Sequence, residues 1–352
     1  MKQTAQFAQA TPAVLLQSLR ACVLAKRPAF TWGNPGIGKS DLHRRLADDL
    51  GREILDLRAS QWDAVDTRGI PHVIERDGET VTRWAIPDIF PTDPNSTTII
   101  FLDELNSAAP SVQAALYQLI LDRKLGEYHL PDGVVILAAG NLETDRAVTH
   151  RMSSALADRF FHFQLLVDNS AWEAWAIDRD IHIAVLSYQR WRPSHLHSWD
   201  PKSPSKSQAT PRGWEYVSDV LKVIEAEGIN GEVEATLISG KLGEAVGAEF
   251  IGFLKIYRNL QDPDAVILDP EQATISDDPA VNYALCGALA ERASDSNIDR
   301  VIRYAERLRD DPKAGAEFMT LLVRQAAARK PEVQQTLGFI KWATANKEVL
   351  IA

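Results

Sequence analysis

Short apolar runs alternate with helical periodicity through the first half of the chain. Ala29-Phe30-Thr31-Trp32, Ile54-Leu55-Asp56-Leu57, Thr98-Ile99-Ile100-Phe101-Leu102 and Val134-Val135-Ile136-Leu137-Ala138-Ala139 predict buried strands. Helical patterns separate several of them. Thr11 and Pro12 supply the N-cap and first-turn proline of one helix. Leu42, Leu46 and Leu50 share a face of a second, Ser40 to Leu50, which Gly51 ends. Behind Pro110, residues Val112, Ala115, Leu116, Leu119 and Ile120 keep helical spacing for a third. This alternation predicts an α/β fold whose sheet has a parallel centre. Two hairpins interrupt it. Asp77-Gly78 is a two-residue turn between the β-compatible arms of His72 to Trp84. A second hairpin is expected in Lys124 to Val135, with Pro131-Asp132-Gly133 as its turn.

The pattern changes near Leu166. From Trp172 onward helical periodicity dominates, and Pro193 to Pro211 reads as a Ser/Pro/Lys-rich loop. Thr210-Pro211 opens a helix with Val217, Val220, Leu221 and Ile224 on its apolar face. Residues 240–352 read as further helices, broken near Pro263, Pro270, Pro279, Pro312 and Pro331.

Composition narrows the class without naming it. At 352 residues the prior is two domains. With 45% hydrophobic and 24% charged residues the chain is ordinary globular material, not a disordered tail or a rod. No run of ~18 apolar residues predicts a membrane span, and Met1 to Ala10 lacks the apolar core of a secretory signal. Cys22 and Cys286 are the only cysteines, too few for a disulfide framework, so a cytoplasmic setting is expected. The net charge of −10 weighs against bulk binding to nucleic acid.

The chemistry is concentrated at strand ends. Gly33-Asn34-Pro35-Gly36-Ile37-Gly38-Lys39-Ser40 fits the phosphate-binding loop G-x-x-x-x-G-K-[ST], between a strand and an amphipathic helix. Glycines let backbone N–H groups wrap phosphates, Lys39 reaches the β and γ phosphates, and Ser40 ligates Mg²⁺. The expected nucleotide-binding set is Gly33 through Ser40 with Asp41. The strand Ile99 to Leu102 ends in Asp103-Glu104. Asp103 would hold Mg²⁺ and Glu104 would polarise the attacking water. The strand from Val134 to Gly140 ends at Asn141, whose amide can orient that water or contact the γ-phosphate; a turn-forming Asn is the plainer alternative.

Phosphate loop, Asp103-Glu104, Asn141 and then Ala157-Asp158-Arg159-Phe160 come in an order that resembles an AAA+ ATPase. Leu102 to Leu116, which fits D-E-x-N-x-x-x-P-x-x-Q-x-A-L, resembles the MoxR branch, as do the two hairpins. The likeness covers residues ~11–225. It implies a P-loop AAA+ core with a central, mostly parallel five-stranded sheet and two β-hairpin inserts over 1–166. An α-helical lid over 167–240 and a C-terminal helical extension over 241–352 would follow. It also implies roles: Asn141 as sensor 1, Arg159 as the arginine finger that reaches a neighbour's nucleotide, and Arg212 in Thr-Pro-Arg-Gly-Trp as sensor 2. Arg151 and Arg146 are lesser finger candidates, and an ion pair with Asp158 is the structural alternative for Arg159. A finger acting in trans implies a homo-oligomeric ring, a hexamer in the family. ATP with Mg²⁺, a protein client and a partner carrying a von Willebrand A domain are implied in the same way. The chain departs from the branch at Leu142 to His150, which is polar and holds Glu143 and Asp145, and in the long Pro193–Pro211 loop.

Other features are weaker. His195 and His197 with Asp200 do not make a zinc site and read as a solvated loop. Trp172, Trp175, Trp191 and Trp199 lack the clustered Lys/Arg of a single-strand platform and read as packing residues. Tyr128 and His129 either touch a threaded substrate or sit on a solvent-facing strand, the first hairpin docks a partner or caps the sheet, and Asp48 and Asp49 read as a solvated helix face. The alternatives to a protein-remodelling ATPase are a nucleic-acid motor or loader, disfavoured by charge and the lack of a Lys/Arg-rich helix, and a nucleotide-gated scaffold, disfavoured by Glu104.

Overall fold

A computed structural model describes residues 7–85, 87–125, 128–142, 144, 152–229 and 231–347. Arg146 and Arg151, like Glu143 and Asp145, lie outside these residues. The chain divides into two compact units, Met1–Asp168 with Asp200–Ser203, and Asn169–Trp199 with Pro204–Ala352.

The first unit holds β1 (Ala8–Ala10), α1 (Pro12–Leu24), β2 (Ala29–Trp32), α2 (Lys39–Asp49), β3 (Ile54–Arg58) and α3 (Ala64–Arg68). There follow β4 (Ile70–Arg76), β5 (Glu79–Ala85), β6 (Ile99–Asp103), α4 (Pro110–Asp122), β7 (Lys124–Leu125), β8 (Tyr128–His129), β9 (Val135–Gly140), α5 (Ser154–Ala157) and β10 (Phe161–Leu165). Six strands form one sheet in the order β1-β10-β2-β9-β6-β3, and every adjacent pair is parallel. The five strands expected are thus six. The additional edge strand, β1, has three residues, too few for an alternation to register in sequence.

Successive side chains of the central strands point to opposite faces, as the pleat requires. Ile100, Leu102, Ile136 and Ala138 join one core with Val112, Ala115, Leu116, Leu119 and Ile120 of α4. Ile99, Phe101, Val135, Leu137 and Ala139 join a second core with Leu15 and Leu19 of α1 and Leu46 of α2. Burial on both faces is why these strands read as unbroken apolar runs. The helix-carrying layers therefore sandwich the sheet and leave its carboxyl edge to the loops.

The first hairpin pairs β4 with β5 around Asp77 and Gly78, both at positive φ (54° and 82°), the backbone that a two-residue primed turn demands. In the second, β7 pairs with β8, Lys124 opposite His129 and Leu125 opposite Tyr128. Pro131-Asp132-Gly133, expected as that turn, instead precedes β9. Tyr128 is not solvent-facing. It is buried beside Phe90, with ring centroids 5.5 Å apart, and its hydroxyl donates to the Pro91 carbonyl at 2.6 Å. His129 is exposed.

The second unit is helical among its described residues: α6 (Asn169–Asp178), α7 (Ile183–Trp191), α8 (Pro211–Glu227), α9 (Gly231–Leu242), α10 (Glu244–Arg258), α11 (Pro263–Leu268), α12 (Pro279–Arg292), α13 (Ile298–Asp310), α14 (Ala316–Arg329) and α15 (Leu337–Ala345). Thr210 caps α8, its Oγ1 accepting from the Gly213 N–H at 3.1 Å. An aromatic core joins Tyr188, Trp214, Phe250 and Phe253, with Tyr188 and Phe250 centroids 5.0 Å apart. His195 serves this packing and is not a solvated loop residue: its Nδ1 meets the Tyr188 hydroxyl at 2.8 Å and its carbonyl accepts from Trp214 Nε1 at 2.8 Å. Trp172 is buried and Trp191 stacks on Phe253. Cys22 and Cys286 are buried, which pushes the Cys286 thiol up to about 12. Among the described residues no helix is long and apolar enough to cross a membrane, and no group of three His, Cys, Asp or Glu could hold a metal ion.

Candidate functional site

Three adjacent strands deliver the site. β2, β9 and β6 lie side by side, and their carboxyl ends lead into Gly33, Asn141 and Glu104. The carboxyl edge of a parallel sheet is the usual ligand crevice of α/β folds. The loop after β2 turns on Gly36 and Gly38, whose φ of 75° and 91° are costly for side-chain-bearing residues. It feeds directly into α2, so the first N–H groups of that helix face the loop.

The phosphate-loop lysine is buried at the centre. Lys39 Nζ donates to the carbonyls of Gly33 at 2.6 Å and Asn34 at 2.9 Å, and to Asn141 Oδ1 at 3.0 Å. Ser40 Oγ donates to Asp103 Oδ2 at 2.8 Å, and the Glu104 N–H donates to Asp103 Oδ1 at 2.9 Å. Glu104 itself sits in the left-handed region at φ 54°, a conformation that costs a non-glycine residue about 1–3 kcal/mol. That backbone turn carries its carboxylate out of line with the strand, where Ser60 Oγ donates to Glu104 Oε2 at 2.5 Å. The sequence-predicted residues Lys39, Ser40, Asp103 and Asn141 are thus directly linked, with Glu104 joined through its backbone.

Asp41 and Arg159, in the same unit, lie apart from this network. Asp41 is exposed in the first turn of α2 and pairs with Arg44 at 2.9 Å. Arg159 follows α5 and pairs with Asp158 at 3.1 Å, with side chains 45% and 77% exposed. An ion pair this open is worth little and leaves the guanidinium available to a stronger anion. Arg212 belongs to the second unit, exposed in the first turn of α8. Its charge assists burial in lowering the pKa of Lys241.

Four supporting residues carried no sequence signal strong enough to single them out. Ser60 holds the Glu104 carboxylate. Asn106 Nδ2 donates to the Asn141 carbonyl at 2.8 Å. His43, one turn beyond Lys39, is fully buried against Phe101, with Nδ1 at 2.8 Å from the Lys39 carbonyl. His162 joins the strand before the loop to the segment before Arg159: it accepts from Trp32 Nε1 at 2.9 Å and donates through Nε2 to the Ala157 carbonyl at 2.8 Å. The Asn106 position in D-E-x-N and the helical i, i+4 step from Lys39 to His43 were the available hints.

The donor set fits a divalent cation of the Mg²⁺ kind. A hydroxyl and a carboxylate oxygen, Ser40 Oγ and Asp103 Oδ2, lie within hydrogen-bond distance of each other beside a loop shaped for phosphate.

Residues 29–160 match the family model described as AAA domain (dynein-related subfamily), a span that includes the phosphate loop, Asp103-Glu104, Asn141 and Arg159. Among solved structures, a point mutant of Thermotoga maritima RuvB is 17% identical, over 78% of this chain and 80% of that one, with a TM-score of 0.37. NtrX from Brucella abortus, in complex with ADP, is 13% identical over 96% of this chain and 68% of that one, with a TM-score of 0.42. Neither likeness is close enough to speak for the activity of this chain. No curated protein matches.

Proposed function

We propose that the protein is a Mg²⁺-dependent AAA+ ATPase of the MoxR type, working as a homo-oligomeric ring in the cytoplasm to remodel or activate a protein client. The observation that carries this reading is the linkage of Lys39, Ser40, Asp103 and Asn141, with Glu104 beside them, at one sheet edge. Each group suits a part of phosphoryl transfer. Loop N–H groups and the Lys39 ammonium would bind the β and γ phosphates. Ser40 and Asp103 would hold Mg²⁺, which when bound neutralises charge on the phosphate oxygens. Glu104, the carboxylate beyond the metal-binding pair, would take the proton of the attacking water. Asn141 keeps its Nδ2 donor for that water or the γ-phosphate while its Oδ1 accepts from Lys39.

Arg159 would act on the nucleotide of a neighbouring subunit and Arg212 as sensor 2 from an α-helical lid, residues 167–240, with 241–352 as an extension. A finger in trans raises turnover by about 10³-fold or more, so an isolated subunit would be a poor enzyme. A von Willebrand A-domain protein is the proposed partner.

The test is mass by light scattering with and without ATP–Mg²⁺, together with ATPase rate, on wild type, Glu104→Gln and Arg159→Ala. ATP should drive a ring-sized particle. Glu104→Gln should bind ATP and assemble without hydrolysis, and Arg159→Ala should bind ATP but lose most turnover. Equal hydrolysis by wild type and Glu104→Gln would remove Glu104 from its role. A wild type that stays monomeric and silent would mean either that assembly needs the missing partner or that the scaffold reading replaces the enzyme, and pull-down from the native host would follow.

A further inference from the structure

We propose that Asn106 is a positioning residue for hydrolysis: its side chain ties the end of β9, and with it the Asn141 amide, to the turn that carries Asp103 and Glu104. This rests on the ATPase reading above.

The β6–β9 ladder makes its last backbone pair at Leu102 and Ala138. Past that point lie the residues with chemistry, Asp103 and Glu104 on one strand and Asn141 on the other. Asn106 stands in the 3-10 turn Leu105–Ser107 immediately after Glu104 and is 1% exposed. Its Nδ2 donates to the Asn141 carbonyl at 2.8 Å, so a side chain continues the strand pairing where the backbone stops. Asn141 is then held from two directions, its side chain by Lys39 at 3.0 Å and its backbone by Asn106.

Two further observations separate this from simple space-filling. A Cβ on Gly140 would lie 2.2 Å from Asn106 Oδ1 and 2.8 Å from its Cγ, so the strand gives up a side chain to admit the amide. Asn106 Oδ1 is buried and has no hydrogen-bond partner among the described residues. An amide buried with one of its groups unsatisfied is destabilising relative to an apolar residue of the same shape. The residue type is therefore explained by the one bond it makes, to the backbone of Asn141. Among the described residues the Asn106 side chain makes its hydrogen bond to Asn141, so the effect of that side chain is read at Asn141.

The experiment measures kcat, KM and nucleotide affinity for wild type, Asn106→Ala, Asn106→Asp, Asn141→Ala and the Asn106→Ala/Asn141→Ala double variant, with thermal midpoints as the check on folding. A small misplacement of a positioned group can cost up to about 10²-fold in rate. Asn106→Ala is expected to lower kcat about tenfold or more while ATP affinity stays within about threefold. Asn106→Asp keeps the volume but sets a carboxylate against a carbonyl, and should be at least as slow; it carries the test if the alanine variant does not fold. In the Asn141→Ala background, Asn106→Ala should add little, because its route is already gone. Turnover within about twofold of wild type in either Asn106 variant, or effects that multiply in the double variant, would overturn the proposal. A silent wild type strikes the ATPase reading instead. An active wild type with unaffected Asn106 variants strikes this proposal alone, so the two failures are told apart.

Discussion

Acidification should weaken the nucleotide-binding unit through one imidazole. His43 is fully buried on α2, with its ring 4.3 Å from that of Phe101. The Lys39 carbonyl can only accept, so Nδ1 carries the proton and Nε2 accepts from Thr31 Oγ1 at 3.3 Å. Burial is the main cause that pushes this group from 6.5 down to about 4. The Lys39 carbonyl and the charges of Asp103 and Asp56 oppose the shift without cancelling it. The folded state therefore holds the neutral ring where the unfolded chain would take a proton. The stabilising contribution is intact above 6.5, falls as the pH drops toward about 4, and changes no further below that. At about 1.4 kcal/mol per pH unit, the full loss is about 3 kcal/mol, a large part of the margin of a typical domain.

The assay is urea unfolding of wild type and His43→Gln from about pH 7.5 to about pH 4, where the difference between the two proteins removes every other titration. Wild type should lose about 3 kcal/mol more than the variant across that range. Carbon-13 labelling of the histidine rings follows His43 directly. A His43 titration above pH 6, or parallel pH profiles for the two proteins, would refute the reasoning.

The Ser60 hydroxyl donates to Glu104 at 2.5 Å and so occupies a carboxylate oxygen that the attacking water would need, a restraint that Ser60→Ala removes. Basal ATPase kcat should rise about threefold with KM unchanged, and a fall would mean that Ser60 holds Glu104 in its working position. Thr210→Ala deletes the N-cap of α8, whose Oγ1 accepts from Gly213 at 3.1 Å. It should cost the second unit about 1 kcal/mol in urea unfolding while leaving residues 29–160 unaffected.

What the sequence revealed of the fold follows the range of the interactions. The central strands of the sheet are legible because burial on both faces leaves long apolar runs such as Ile99 to Leu102. The Asp77-Gly78 turn is legible because two successive positive φ angles restrict the residue types. The edge strand Ala8–Ala10 is not, since its pairing with β10 joins residues more than 150 positions apart and its three residues carry no period of their own. The second hairpin misled because Pro131-Asp132-Gly133 is a valid turn signal for the approach to β9, and the pairing of two-residue strands leaves no stronger one. Tyr128 misled similarly: an aromatic on a hairpin has no sequence mark that distinguishes a solvent-facing ring from one buried beside Phe90.

The same division runs through the site. The meeting of Lys39, Ser40, Asp103 and Asn141 was legible because the phosphate and metal chemistry proposed for them dictates both residue type and spacing in short segments. Ser60, His43 and Asn106 owe partners to the fold: Ser60 reaches Glu104 across 44 positions, His43 stacks on Phe101, and Asn106 reaches Asn141 across 35. Their side chains are ordinary for a turn, a helix and a loop, so local pattern gives them no distinction. The fold supplies it. Placing β3, β6 and β9 in neighbouring positions turns a serine into a donor for a strained glutamate and an asparagine into a tie between two strand ends. Residues proposed to meet the nucleotide would thus be constrained by the ligand, whereas residues that set their geometry are constrained by strand order. Substitutions at the second group should therefore alter turnover before they alter nucleotide binding.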